Sequence, residues 1–125
     1  MKLVQLKGLY LKKVLEEGLS KAELVLGSFP VVSRGVKVVF DYNKNPLSRV
    51  ISFTLNGKEI DDEKMYNVVT TQFLSSGGDG YVSFKNSIPT DHERNMSSMF
   101  QVVKEYVINH SENLQSFVEG RIEAV

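Results

Sequence analysis

Residues 36–60, VKVVFDYNKNPLSRVISFTLNGKEI, decide the fold class because strand-forming and turn-forming segments alternate along them. Residues 36–42 and 49–55 are rich in β-branched and aromatic side chains, which favour strands. The intervening NKNP is a strong turn signal, and Asn56-Gly57 is a favoured hairpin turn that leads into KEI. This part of the chain is therefore expected to be rich in β-structure.

The strand predicted at residues 49–55 shows a period of two, which is typical of a strand with one buried face. The alternation places Ile51, Phe53 and Leu55 on the same face, which we expect to form part of the core. The opposite face then carries Val50, Ser52 and Thr54.

Upstream of this segment, residues 3–6 read as a short strand, and the residues after them have the pattern of an amphipathic helix of about three turns. The apolar residues at helical spacing are Leu9, Leu11, Val14, Leu15 and Leu19. The polar face of this helix, which includes Glu16 and Glu17, is expected to be solvated surface. The acidic residues 61–63 are likewise expected to form a solvated turn.

Downstream, the pattern predicts a strand at 65–73, a short strand or turn at 81–84, an exposed loop at 85–94, a helix within 97–110 and a closing strand at 120–125. Ser97 or Ser98 is expected to cap the helix. Its inward residues are expected to be Met99, Phe100, Val103, Tyr106 and Val107. Helices around a strand-rich centre imply an α+β domain with a mixed or antiparallel sheet flanked by helices.

The composition excludes several classes of protein. The chain has 125 residues, with 15 lysines and arginines balanced by 15 aspartates and glutamates. A neutral chain lacks the positive field that concentrates a protein on a phosphate backbone, so we expect no nucleic-acid partner. Cysteine is absent, which excludes disulfides, thiolate zinc sites and cysteine nucleophiles.

The amino-terminal residues, MKLVQLKGLYLKKVLEEG, have neither a long apolar run nor a small-residue cleavage site, so we do not expect them to be a signal peptide. No segment reaches the roughly 18 apolar residues of a membrane helix, and we expect no membrane partner. Because the chain begins abruptly in a predicted strand, we expect residues 1–125 to be a single domain that is truncated at its N-terminus. An exposed strand edge there would promote dimers.

The sequence offers no convincing reaction centre. His92 and His110 are far apart, and the acidic residues beside His92 lack metal-ligand spacing, so residues 91–93 are expected to be a surface loop. Ser75 and Ser76 do not sit in a nucleophile elbow, and the chain contains no phosphate-binding P-loop motif. We therefore expect neither catalytic residues nor metal ligands in this chain.

The stretch FLSSGGDGY, residues 73–81, predicts a tight irregular loop shaped by Gly77, Gly78 and Gly80. One interpretation is a turn with Phe73 buried and Asp79 bonded to its own amides. The other is a ligand site, in which Phe73 ends a strand and stacks on a nucleobase while Asp79 accepts hydrogen bonds from a pair of sugar hydroxyls. Taken alone, the motif favours the turn.

Several segments together carry a family resemblance. The order of LVQLKG, GSFPVVSRGVKVVFDYN, YNVVTTQFLSSGGDGY and VEGRI resembles the C-terminal domain of the 5′-nucleotidase family. That family includes the UDP-sugar hydrolases and the 2′,3′-cyclic-nucleotide phosphodiesterases. The resemblance runs from Leu3 to Ile122, and its most specific element is the phenylalanine followed by Gly-Gly-Asp-Gly and an aromatic residue.

The resemblance implies a division of labour between two domains. An N-terminal metallophosphatase domain holds two divalent metal ions and the catalytic groups, and the C-terminal domain grips the nucleoside or nucleotide substrate. On this chain, Phe73 matches the base-stacking ring, Asp79 matches the ribose-binding carboxylate, and Gly77, Gly78 and Gly80 shape the loop. The chain alone is then expected to be inactive, with no cofactor of its own. The parent protein is expected in the periplasm or at the cell surface.

The chain also departs from the family pattern. The family's second stacking phenylalanine lies upstream of the segment that matches LVQLKG, so only half of the base clamp is present. Arg34 is inserted in the segment after Phe29-Pro30, and it is interpreted as a surface bulge, with a phosphate contact as the alternative. The expected function is nucleotide binding for phosphate-ester hydrolysis by a separate domain. The alternative is a non-catalytic interaction module that retains the fold.

Overall fold

A computed structural model describes residues 1–90 and 97–125 of the chain. Within them, strands and α-helices follow one another in this order: β1 (Lys2–Lys7), α1 (Gly8–Leu19), β2 (Val36–Phe40), β3 (Val50–Leu55), β4 (Lys58–Glu59), β5 (Met65–Thr70), α2 (Gln72–Ser75), β6 (Ile88–Pro89), α3 (Met99–Asn109) and β7 (Ile122–Ala124). Short 3-10 turns lie at Ala22–Leu24, Gly78–Gly80 and Val82–Asn86. No helix in the described ranges is long and apolar enough to cross a membrane.

The strands form two sheets. The first has the order β5-β1-β6, and both of its pairings are antiparallel. The second has the order β4-β3-β2-β7, in which β7 runs parallel to β2 and the other pairs are antiparallel. The predicted α+β class is therefore confirmed, with one antiparallel and one mixed sheet.

Strand β1 is central in its sheet, which changes the expected position of the open edge. It pairs with β5 along its whole length, and Val4 and Gln5 pair with β6 on the other side. Among the described residues, the long unpaired edge belongs to β5 instead. Dimerisation through an edge stays a prediction, and β5 is where it would occur.

Helix α1 contributes to two buried clusters because its apolar face is wide. Leu15 and Leu19 lie in the larger cluster, with Ala22, Val38, Phe40, Phe53 and Ile60. Val14 lies in the second, with Leu6, Tyr81 and Phe84. The helix thus packs against both the four-stranded sheet and residues 81–84, at the end of the glycine loop (residues 76–81). Leu9, on the same predicted apolar stripe, is partly exposed.

A β-bulge overturns part of the predicted alternation in β3. Ser52 pairs with Val39 and Val50 pairs with Phe40, so Ile51 is an extra residue opposite β2. Phe53 is buried as predicted, and Val50, which was expected on the other face, packs against the same cluster. Ile51 is 50% exposed, and its assignment to the core was wrong.

Other differences concern the C-terminal half. Strand β5 ends at Thr70, and Thr71 begins α2 by accepting a hydrogen bond from the Leu74 amide at 3.2 Å. Residues 82–86 form a 3-10 turn, and within the predicted exposed loop Ile88–Pro89 pairs with β1. Residues 91–94 of that loop, with His92, lie outside the described residues. The closing strand is confirmed as β7.

Helix α3 is confirmed, but its predicted burial was wrong. Ser98 caps its N-terminus, as predicted, and the Ser98 Oγ accepts a hydrogen bond from the Gln101 amide at 3.2 Å. All five residues expected to face inward are exposed, and Phe100 is 74% exposed. Helical periodicity identifies the face that can be buried, but it does not specify the element that covers that face.

The turn at residues 61–64 caps helix α1. The Lys64 and Asp62 carbonyls accept hydrogen bonds from the Gly8 and Leu9 amides at 2.8 and 3.1 Å. Asp62 also forms an ion pair with Lys12 at 2.6 Å. These carbonyls satisfy amide groups that have no partner inside the helix. The acidic residues 61–63 are exposed, so the expected solvated turn is confirmed, and the turn also caps the helix.

The buried side chain of Arg49 ties the end of α1 to the β2–β3 connection. Its Nη1 donates to the Leu19 carbonyl at 2.8 Å and to Glu23 at 2.6 Å, and its Nη2 donates to Glu23 at 3.0 Å. The Arg49 amide donates to Glu16 at 2.8 Å. The Arg49 guanidinium group therefore links the C-terminal end of α1 and the Glu23 side chain to the residue that precedes β3.

The Glu23–Arg49 pair predicts an acid-sensitive contribution to stability. The hydrogen bond from Arg49 lowers the pKa of Glu23 from 4.5 to about 2. Because this pKa is lowered by folding, the contribution is complete above about pH 4.5 and is lost as the pH falls towards 2. In urea unfolding, wild type is expected to be more stable than Glu23→Gln near neutral pH, with the difference shrinking across this range. A constant difference would contradict the prediction.

Candidate functional site

The glycine loop is held in an unusual backbone conformation between α2 and the turn Val82–Asn86. Gly77 has φ +93° and Gly80 has φ +82°. Both lie in the left-handed region that glycine adopts readily. Asp79 also has a positive φ, of +55°, which is uncommon for a residue with a side chain. The loop therefore presents Asp79 from a constrained turn.

Phe73 lies on α2 and not at a strand end, so that part of the prediction was wrong. Its side chain is 59% exposed, and its ring lies against Gly78. A methyl group placed on Gly78 would lie 2.5 Å from Cε2 of Phe73. Gly78 is therefore the residue that allows the ring to approach the loop backbone closely, while much of the ring remains open to solvent.

Asp79 is exposed, and its carboxylate forms no hydrogen bond or ion pair with any residue in the described ranges. The turn interpretation required Phe73 to be buried and Asp79 to bond to its own amides, and the structure has neither feature. The arrangement leaves an exposed ring against Gly78 and an exposed carboxylate on the following residue.

Asp79 lies at the boundary of two cavities. One, of about 320 Å³, is lined mostly by apolar residues from α1, β5 and residues 27–32, and Asp79 is the charged group among its lining residues. The other, of about 510 Å³, is lined by Asp79 together with Glu17, Gly18 and Lys21. Phe73 lines neither cavity, so a ring stacked on it would lie on the open surface.

Tyr81 anchors the C-terminal end of the loop. Its side chain is buried, and its hydroxyl donates to the Ser28 carbonyl at 2.6 Å. Burial, together with the negative charges of Asp79 and Glu17, raises the pKa of Tyr81 to about 12. The phenol therefore stays protonated at physiological pH and keeps its donor role.

The remaining predicted residues have structural surroundings. A methyl group on Gly77 would lie 3.0 Å from Cε of Lys85. A methyl group on Gly80 would have no atom within 4 Å, so glycine is favoured there by the positive φ and not by lack of space. Gly120 has φ +67° and precedes β7, and Arg121 donates to the Val32 carbonyl at 2.8 Å. The inserted Arg34 is exposed and lines neither cavity beside Asp79.

No group of three or more histidine, cysteine, aspartate or glutamate side chains in residues 1–90 and 97–125 could hold a metal ion. His110 ends α3, where its ring stacks on Tyr106 with the centroids 4.1 Å apart. His92 lies outside the described ranges. The donor set of the described residues thus does not fit a metal centre.

The sequence analysis did not identify the residues of helix α1 that contact the C-terminal end of the loop and the turn that follows it. Glu17 was assigned to a solvated helix face, although its carboxylate accepts hydrogen bonds from Ser83. The available signal was Gly18, because a glycine within a helical pattern costs about 1 kcal/mol relative to alanine and can have a packing reason. A methyl group there would lie 2.5 Å from the Tyr81 hydroxyl.

Comparisons with known proteins agree on one family. A family model described as "5′-nucleotidase, C-terminal domain" matches residues 1–86. The chain is 32% identical over 126 residues to the trifunctional nucleotide phosphoesterase protein YfkN of Bacillus subtilis, covering 96% of this chain and 8% of the relative. It is 33% identical over 129 residues to the 5′-nucleotidase of Bos taurus, covering 97% of this chain and 22% of the relative.

The fold is also similar to that of solved structures. The 5′-nucleotidase precursor from Thermus thermophilus matches with a TM-score of 0.80 and 27% identity, covering 98% of this chain and 24% of that one. This chain therefore spans less than a third of the length of the relatives it matches. Because the family model covers more than half of the chain, the chain belongs to the 5′-nucleotidase C-terminal domain family.

Proposed function

We propose that this chain binds the nucleoside part of the substrate for a metal-dependent 5′-nucleotidase-type phosphohydrolase. The observation that carries the proposal is the pairing of an exposed Phe73 ring, seated on Gly78, with the Asp79 carboxylate at the next residue. An aromatic ring offers a stacking surface for any base, and a carboxylate accepts hydrogen bonds from two hydroxyls. A ribonucleoside carries both complementary features.

The chemistry is assigned to a separate N-terminal metallophosphatase domain. Two divalent ions bound there would activate water and stabilise the charge on the phosphoryl group. The described residues of this chain contain no group of three or more side chains that could hold a metal ion. Phe73 orients the base and Asp79 holds the ribose, so the phosphate is presented in a fixed direction.

Replacing Phe73 by alanine is expected to weaken the binding of adenosine and uridine alike. Loss of stacking is worth about 1–3 kcal/mol, which corresponds to a rise in Kd of roughly 5- to 150-fold. The measurement is a titration followed by the amide signals of residues 73–81. Phe117→Ala is the matched control, because Phe117 is an exposed phenylalanine that lies outside the loop.

Replacing Asp79 by asparagine is expected to weaken adenosine binding by about tenfold or more, because hydrogen bonds to a charged group are lost. Binding of 2′,3′-dideoxyadenosine, which lacks the two hydroxyls, is expected to be unchanged. If adenosine at high concentration leaves the loop signals unchanged in wild type, the proposal is wrong and the alternative interaction module is favoured.

A further inference from the structure

We infer that Glu17 and Gly18 of helix α1 are positioning residues, which hold the loop so that the Asp79 carboxylate points at the ribose hydroxyls. This inference rests on the proposed function. Neither residue is assigned a contact with the ligand. Each acts on a residue that follows Asp79 closely in the chain, and the two anchors come from consecutive positions of one helix.

The first anchor is the carboxylate of Glu17. Both of its oxygens accept from the Ser83 amide at 3.1 Å, and Oε1 accepts from the Ser83 hydroxyl at 2.5 Å. Ser83 is buried and lies in the turn Val82–Asn86, which directly follows the loop. Because the acceptor is charged, these hydrogen bonds are stronger than those between neutral groups.

The second anchor is the contact between the Tyr81 ring and Gly18, which has no side chain to block that approach. The Tyr81 ring lies directly on the helix there, since a methyl group on Gly18 would lie 2.5 Å from the hydroxyl and 2.9 Å from Cε1. This position lets the hydroxyl reach the Ser28 carbonyl at 2.6 Å. Tyr81 is two residues after Asp79, so its placement constrains the carboxylate.

The conformation of Asp79 explains why anchors are needed. A non-glycine residue with φ +55° is strained, and such a residue persists only where the surrounding structure holds it. On the N-terminal side, the Gly77 amide donates to the Leu74 carbonyl at 2.9 Å. On the C-terminal side, the Tyr81 amide donates to the Gly78 carbonyl at 3.1 Å, and Tyr81 and Ser83 are themselves held against α1 by Gly18 and Glu17. Loosening them is expected to let Asp79 relax away from its exposed position.

The test compares two neighbouring carboxylates that make the same kind of contact with different parts of the fold. Glu17 accepts from the Ser83 amide, whereas Glu16 accepts from the Arg49 and Val50 amides at 2.8 Å each. Glu17→Gln and Glu16→Gln are measured with adenosine and with 2′,3′-dideoxyadenosine. We expect Glu17→Gln to lower adenosine affinity several-fold and to leave dideoxyadenosine affinity unchanged. We expect Glu16→Gln to leave the ratio of the two affinities as in wild type.

A second readout does not depend on ligand. In the free chain, Glu17→Gln is expected to shift the amide signals of residues 78–80, and Glu16→Gln those of Arg49 and Val50. Gly18→Ala is expected to reproduce the selective loss of adenosine affinity if it folds, and Glu17→Gln carries the test if it does not.

The outcomes separate this inference from the proposed function. If wild type prefers adenosine through Asp79 but Glu17→Gln retains that preference, the inference is overturned and the proposed function stands. If wild type shows no preference for the ribose hydroxyls, the proposed function fails and this inference fails with it. Unchanged signals of residues 78–80 in Glu17→Gln would also overturn the inference.

Discussion

Replacing Phe53 by alanine is expected to lower the free energy of unfolding by about 3–5 kcal/mol, whereas Ile51→Ala is expected to change it by only about 0.5 kcal/mol. The two residues lie two positions apart on β3, and simple alternation assigns them to the same buried face. The bulge at Ile51 separates them, leaving Phe53 5% exposed and Ile51 50% exposed.

Urea unfolding of both variants, with the slopes compared, measures this difference. Phe53 packs in the cluster with Phe40 and Leu19, so its truncation leaves a cavity that the neighbours fill only in part. Similar losses for the two variants would mean that β3 pairs with β2 without the bulge, and that Ile51 faces the core.

Replacing Gly8 by alanine is expected to cost about 3 kcal/mol or more, at or above the upper end of the usual cost of overpacking. Gly8 begins α1 and lies against the backbone of Asp61, in the turn that caps the helix. A methyl group there would overlap the Asp61 carbonyl, and a backbone atom cannot swing aside as a flexible side chain can. The turn or the helix start would have to move, which weakens the bonds from Gly8 and Leu9 to the turn.

Gly27→Ala is the matched control, because no atom lies within 4 Å of a methyl group at that position. It is expected to be neutral or to stabilise the chain by about 0.4–1 kcal/mol, through the unfolded state. The comparison uses thermal and urea unfolding of both variants. A small effect of Gly8→Ala would show that the 61–64 turn does not pack tightly on the helix.

The candidate site divides into a part that the sequence could identify and a part that it could not. Phe73, Asp79 and the three glycines of the loop could be named from their spacing and from the family resemblance. The expectation that Phe73 ends a strand was wrong, because Thr71 caps a short helix first. The supporting residues Glu17 and Gly18 lie more than 60 residues before Asp79 in the chain. Their contacts with Ser83 and Tyr81 appear only in the folded structure.

Interactions between residues close together in the chain account for what could be inferred from the sequence alone. The Asn56-Gly57 turn, with φ +51° and +82°, and the cap of α3 by Ser98 follow from the preferences of a few adjacent residues. Long-range packing accounts for the bulge at Ile51, the exposed apolar face of α3 and the support of the glycine loop by α1. In each case a side chain's burial or role depends on a partner that is distant in sequence, and local pattern carries no information about that partner.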